Sequence, residues 1–331
     1  MRRREFIPLL ASMAAWPLAA RAQQFKRRIG VVMARLENDP VAQAEITALF
    51  DNLRQLGWTV GAGGNSQVDY RWPGSDLDRI RADVAEIVGL HPDVIVAHST
   101  PVNVALQRVT RTIPIVFVGV NDPIGSGLVE NLARPGGNIT GFSNFDAKMT
   151  VGGKWVETLK EIDRRIERVA IVFHPQTVPF ARLFVRSIEA TQSSFSVMTT
   201  VMPVHDRAEL EHSITDFAST PNGGLVVLPD SFFVNNRKSI ISFAAKYSLP
   251  AIYPLKLFVT EGGLVSLGTD LIGVFRQAAS YVDLILKGRK PSDLPVQQPA
   301  KYELAINLKT AKTLGLVVPL IMQVSADEVI E

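Results

Sequence analysis

No cysteine occurs in the 331 residues. Neither a disulfide framework nor a cysteine-ligated metal can hold this chain together, so a sizeable apolar core must do it. The five histidines, His91, His98, His174, His205 and His212, show no His-Glu-x-x-His spacing, which argues against a zinc centre. Phosphate loops are missing too. Gly152-Gly153-Lys154 is followed by Trp155 rather than Ser or Thr, and no Gly-x-Gly-x-x-Gly opens a helix after a strand. A Gly-x-Ser-x-Gly elbow is also absent. The expectation is a protein without a cofactor or metal and without catalytic residues. His98 beside Ser99 mimics a hydrolase base and nucleophile only as chain neighbours, and adjacent strand residues face opposite ways.

The longest apolar run, Phe6 to Ala20, is broken by Pro8, Ser12 and Pro17 and is shorter than the roughly 20 residues that span a bilayer. Arg2, Arg3 and Arg4 precede it and Ala20-Arg21-Ala22 follows. This is the order of a secretory signal, so residues 1–22 are read as a leader cleaved after Ala22, and the product as periplasmic. Arg3-Arg4-Glu5-Phe6-Ile7 resembles the twin-arginine address. The chain has 35 Lys and Arg against 32 Asp and Glu; four of the former and one of the latter lie in 1–22, leaving 31 of each sign. A balanced mature chain offers no clustered basic surface, so no nucleic-acid partner is expected.

Short apolar runs alternate with amphipathic stretches. Strands are predicted at 29–33, 94–97, 115–118, 169–173, 195–201, 225–228, 251–253 and 264–267. Helices are predicted at 41–56, 77–90, 102–112, 153–162, 180–191 and 274–286. Such alternation argues for an α/β protein with doubly wound parallel sheets. Residues 93–118 and 224–253 look alike, each reading strand, helix, proline, strand, which favours two similar lobes. The stretch 121–145 concentrates glycine and proline and is the expected hinge, with a second proline-bearing link at 291–299.

Longer motifs carry a resemblance. Pro92-Asp93-Val94-Ile95-Val96-Ala97-His98-Ser99-Thr100-Pro101, Ile113-Pro114-Ile115-Val116-Phe117-Val118-Gly119-Val120 with Asp122-Pro123, Leu132-Ala133-Arg134-Pro135-Gly136-Gly137-Asn138-Ile139-Thr140-Gly141-Phe142, Val227-Leu228-Pro229-Asp230 and Tyr302-Glu303-Leu304-Ala305-Ile306-Asn307-Leu308 resemble the tryptophan/tyrosine-binding-like family of ABC transporter substrate-binding proteins. The resemblance implies the type I periplasmic-binding fold, two doubly wound parallel-sheet lobes with a hinge and an interlobe cleft. It divides the chain into 25–121 plus 256–290 and 122–255 plus 291–331. It implies a small-molecule ligand, an aromatic amino acid for some members, with an ABC permease as partner; donors at Ser99 and Thr100 opposite Asp122 and Asp230 suit an amino acid or related zwitterion, and a monomer is the expected working form. A periplasmic sensor or hydrolase on the same scaffold is the alternative.

Ligands of open α/β sheets sit beyond the carboxyl ends of the strands, where strand order reverses. Ser99 and Thr100 open the helix after the second predicted strand, where hydroxyls and free amides suit a carboxylate. Asn121 and Asp122 end another strand, and Asp230 ends a third; these aspartates are candidate acceptors for an ammonium group. Asp122 equally suits an Asp-Pro turn, and Asp230 a helix cap. Tyr253, Gly268 and Asp270 complete the candidate ligand-binding set, Tyr253 as a ring wall, Gly268 for close backbone approach and Asp270 as a cap. Replacing Arg3 and Arg4 with Lys is expected to abolish recovery of the mature protein from the periplasm. An unchanged periplasmic yield would reject the twin-arginine route.

Overall fold

Ile29, Val31 and Met33 of the first strand region point to one apolar layer and Val32 and Ala34 to another, and all five are fully buried. A strand with two apolar faces needs helices on both sides of its sheet. The computed structural model describes residues 26–146 and 150–331; the expected leader lies outside the described residues. The first part of the chain forms β1 (Arg27–Val32), α1 (Pro40–Gln55), β2 (Ser66–Arg71), α2 (Leu77–Gly89), β3 (Val94–His98), α3 (Thr100–Val109), β4 (Ile115–Val120) and β5 (Ile139–Ser143). There follow α4 (Val151–Ile162), β6 (Arg168–Phe173), α5 (Ala181–Glu189), α6 (Gln192–Phe195), β7 (Met198–Pro203), α7 (Arg207–Ala218) and β8 (Gly223–Val227). Next come α8 (Ser231–Asn235), α9 (Arg237–Lys246), β9 (Ala251–Tyr253), α10 (Lys256–Thr260), β10 (Val265–Gly268) and α11 (Leu271–Leu286). The chain closes with β11 (Glu303–Asn307), α12 (Leu308–Thr313), α13 (Leu320–Ser325) and β12 (Glu328–Ile330).

Two lobes result. The first sheet has the order β2-β1-β3-β4-β5, every neighbour parallel. The second runs β7-β6-β8-β9-β10-β11-β12, parallel except for the β10–β11 pair. Its first five strands repeat the order of the first sheet, and the look-alike stretches are the third and fourth strands of each. Helices α1 and α11 cover one face of the first sheet and α2 and α3 the other. In the second lobe α4 and α5 share a layer with residues of α12 and α13, and α7 to α10 form the opposite layer.

The lobe boundaries need correcting. Residues 122–143 stay with the first lobe, because β5 pairs with β4. Residues 256–268 stay with the second, because β10 pairs with β9. Residues 291–297 run along β5, where the Val296 amide donates to the Leu132 carbonyl and the Gln297 amide to that of Gly141. The chain therefore crosses between sheets after Ser143, after Gly268 and after Gln297. The glycines and prolines of 121–145 mostly shape turns on the edge of one lobe and do not form a long hinge. Phe142, Phe145 and Trp155 are core. Trp155 stacks on Phe184 at 5.4 Å and meets Phe145 edge-on at 5.9 Å, all buried.

Candidate functional site

Strand order reverses between β1 and β3 in the first sheet and between β6 and β8 in the second. Ligand crevices open at such points, beyond the carboxyl ends of the strands. Here the two crevices face each other and enclose a cavity of about 40 Å³. Arg35, Ser99, Asn121 and Asn144 line it from the first lobe, and Thr177, Asp230 and Ser231 from the second. Among the described residues twelve buried side-chain N or O atoms lack a hydrogen-bond partner, and five of them belong to residues around this one cavity: Arg35 Nη1, His98 Nδ1, Ser99 Oγ, Asn144 Oδ1 and Ser231 Oγ. Buried polar atoms are ordinarily satisfied, so such a concentration makes this cavity the candidate binding site.

Arg35 follows β1. Its Nε and Nη2 donate to the two oxygens of Glu45 at 2.7 Å each, and neither side chain is more than 1% exposed. Glu45 belongs to the buried face of α1, with Ala42, Ile46, Leu49 and Leu53. Burial pushes the Glu45 carboxyl up, against the pull of Arg35. The bidentate fork leaves Nη1 for the cavity. Neither Arg35 nor Glu45 is in the sequence-derived set. A carboxylate on the apolar stripe of an amphipathic helix, and a cation two residues beyond a strand, were the signals available.

Ser99 sits at φ +81° and ψ 156°, a region essentially reserved for glycine. Asn103 fixes it there, its Nδ2 donating to the carbonyls of Ala97 at 3.0 Å and Ser99 at 2.8 Å. Ser99 and Thr100 were expected to open the helix toward a ligand, and a capping role for Thr100 was the alternative. Ser99 occupies the cap position without a capping hydrogen bond, and Thr100 Oγ1 accepts from the Asn121 amide at 3.4 Å. The Asn103 amide, expected to be free, donates to the Ser99 carbonyl. His98 packs over Gly119, where an added Cβ would lie 3.1 Å from its ring. Burial and then Arg35 hold His98 well below its usual pKa, so the ring is neutral at pH 7. Ser99 Oγ and His98 Nδ1 have no partner, so they form no nucleophile–base pair.

Asp230 caps α8 and ties it to the end of β6. Its Oδ1 accepts from the Phe232 amide at 2.8 Å and the Thr177 hydroxyl at 2.6 Å, and its Oδ2 from the His174 amide at 3.0 Å. Two carboxylate oxygens offer about four acceptor sites, so capacity remains on Oδ2. Burial pushes this carboxyl up to about 6, with the three hydrogen bonds opposing.

Four expected residues lie elsewhere. Asp122 closes its own turn by accepting from the Gly125 amide at 2.8 Å and does not line the cavity. Tyr253 is buried in the second lobe, stacked on Phe258 at 4.9 Å, because its strand position faces the core. Gly268 is required for packing, since a Cβ there would sit 1.7 Å from the Pro254 carbonyl oxygen. Asp270 is exposed and caps α11 through the Gly273 amide at 3.0 Å. The lobes touch directly as well. Arg237 of α9 meets Asp39, the cap of α1, at 2.6 Å, and Asn121 Nδ2 reaches the Pro229 carbonyl at 3.3 Å.

Residues 30–330 match the family described as ABC transporter substrate binding protein. The chain belongs to that family. A tyrosine-binding protein of Clostridioides difficile strain R20291 is 24% identical over 269 residues, which are 81% of this chain and 74% of the relative. Among solved structures, a conserved domain protein from Vibrio cholerae O1 biovar El Tor is 26% identical with a TM-score of 0.82, covering 92% of this chain and 99% of that one. An ABC domain in complex with L-Trp from Streptococcus pneumoniae is 22% identical with a TM-score of 0.83, covering 92% and 100%. As an ABC transporter substrate-binding protein, the chain is a binder and not an enzyme.

Ser99→Gly is expected to raise stability by about 1 kcal/mol in denaturant titration, because glycine adopts this backbone without strain and offsets its own entropy loss. A destabilised variant would mean that the hydroxyl contributes more than the strain costs.

Proposed function

We propose that this protein is the periplasmic solute-binding component of an ABC importer. It takes an amino acid or close zwitterionic relative between its lobes and delivers it, as a monomer, to a membrane permease. The five unpartnered polar atoms converging from both lobes carry this reading. Arg35 Nη1 and Ser99 Oγ hold the carboxylate, Asp230 Oδ2 accepts from the ammonium, and Thr100 and Asn121 brace the Ser99 loop. A groove of about 320 Å³ between α2 and α3 shares Thr100 and Pro101 with the cavity and is walled by Ile80, Val84, Val104 and Ala105, which gives an apolar side chain room. The tyrosine-binding relative and the L-Trp complex support an aromatic ligand.

A cavity of about 40 Å³ has room for a few waters and not for an amino acid. Ligand therefore enters when the lobes part, breaking the Asp39–Arg237 pair, and is enclosed when they close, as in hinge-bending binding proteins. The leader at 1–22 supports delivery to the periplasm, by the twin-arginine route.

A thermal-shift screen of the twenty amino acids followed by titration calorimetry tests the reading. Arg35→Lys keeps the charge opposite Glu45 and removes the free guanidinium arm. It is expected to weaken binding roughly thirtyfold or more, about 2 kcal/mol, with melting little changed. Wild-type affinity in this variant would remove Arg35 from the site.

The pH dependence follows from Asp230. Its carboxyl is raised in the folded protein, so the stability it contributes is complete below the ordinary carboxylate value and is lost as pH rises through about 6. An ammonium partner favours the ionised form instead. Affinity is expected to fall as pH drops below 6, approaching about tenfold per pH unit for one linked proton. A flat affinity between pH 5 and 7 would show that the ammonium meets another acceptor.

A further inference from the structure

The Arg35–Glu45 pair does more than anchor α1. Glu45 lies behind Arg35 and does not line the polar cavity, yet it occupies two of the three guanidinium nitrogens and matches the charge of Arg35 where both side chains are buried. An unpaired arginine there would offer a full positive charge and a two-pronged fork, the geometry that captures simple carboxylates and phosphates. The paired arginine offers one arm and no net charge. With His98 neutral, the ionised groups at the cavity are Arg35, its partner Glu45 and Asp230, so the site as a whole does not attract anions.

We infer that Glu45 is a positioning and specificity-determining residue: by pinning and neutralising Arg35 it makes the cleft accept zwitterions and refuse the corresponding carboxylic acids that lack an ammonium group. The inference rests on the amino-acid reading of the cleft. A ligand that brings both charges satisfies Arg35 Nη1 and Asp230 together. One that brings only a carboxylate leaves Asp230 unpaired and adds a second buried negative charge near Glu45, and like charges sharing a dry site repel strongly.

L-tyrosine and 3-(4-hydroxyphenyl)propionate, which differ only in the ammonium group, are the probes. Calorimetry on the wild type is expected to give a preference for tyrosine of roughly a hundredfold, the cost of leaving one buried charge unpaired. In Glu45→Gln, which keeps the shape and one acceptor but removes the negative charge, the propionate is expected to bind about tenfold or more tightly relative to tyrosine, so that the preference narrows. Glu45→Asp retains the charge and shortens the reach; both ligands are expected to weaken together with the preference intact. A Glu45→Gln protein in which both affinities fall by the same factor would assign Glu45 a merely structural role and overturn the inference. A wild type that binds tyrosine and the propionate equally would overturn it too. A wild type that binds neither, and none of the twenty amino acids, would overturn the reading of the cleft itself and the inference with it. Circular dichroism and melting of each variant establish that the folded protein is being compared.

Discussion

Two parallel sheets set end to end force polar strand ends out of water, and most of this protein follows from that constraint. The apolar middle of each strand is covered by helices on both faces. No helix can cover the carboxyl ends, where the chain turns and exposes amides, hydroxyls and charges. In this arrangement the opposite lobe covers them. Desolvation then makes every polar atom there consequential, because a buried donor or acceptor without a partner costs about 1–3 kcal/mol. Some of the groups are answered internally, as Asp230 is by Thr177, Phe232 and His174. Five around the cavity are not.

The sheets repeat the same strand order, but the chemistry at their ends differs. The first lobe presents donors, the Arg35 arm and the Ser99 hydroxyl, on a loop that Asn103 holds in a glycine-like conformation. The second presents a carboxylate that caps a helix. Strain of roughly 1–3 kcal/mol at a non-glycine residue persists only where its surroundings enforce it. At Ser99 the enforcing contacts are two hydrogen bonds from one buried amide. The asymmetry of sign between lobes, rather than any single residue, is the observation on which the proposal of a ligand with opposite charges at its two ends rests.

Much of the scaffold was legible in the sequence because strands buried on both faces leave uninterrupted apolar runs. β5 was missed as a strand because Thr140 and Gly141 dilute its pattern, and that omission moved the lobe boundary to residue 121. β2, an edge strand with a largely half-buried face, carried too little apolar signal. Of the residues named by the rule that ligands gather at strand ends, Ser99, Thr100, Asn121 and Asp230 line the candidate cavity. The same rule could not separate Asp122, whose side chain satisfies a local amide, from Asp230, whose side chain does that and also faces the cavity. Tyr253 failed by strand parity, one residue deciding between core and cleft. Arg35 escaped because its meaning depends on Glu45, ten residues away on a helix, and pairings across elements are not written in local pattern.

The closed arrangement also bears on how binding is driven. Direct contacts between the lobes near the cleft include the Asp39–Arg237 pair, the Asn121–Pro229 hydrogen bond and Val41 of α1 packed on the second lobe's apolar layer, while the Thr269 hydroxyl donating to the Asn144 carbonyl ties two crossover segments together. Against them stand the unpartnered atoms that closure desolvates. A ligand shifts an equilibrium between open and closed forms only by its difference in affinity for the two. On the proposed reading that difference comes from atoms of both lobes, because the unpartnered groups around the cavity belong to the first lobe and to Ser231 of the second. Arg237 adds a limit on the closed form without ligand. Its second partner, Glu261, belongs to its own lobe at 2.7 Å, so opening costs Arg237 one carboxylate while the other stays. The contact between lobes at Arg237 is therefore one half of a shared pair, and its loss on opening is offset by the carboxylate that remains.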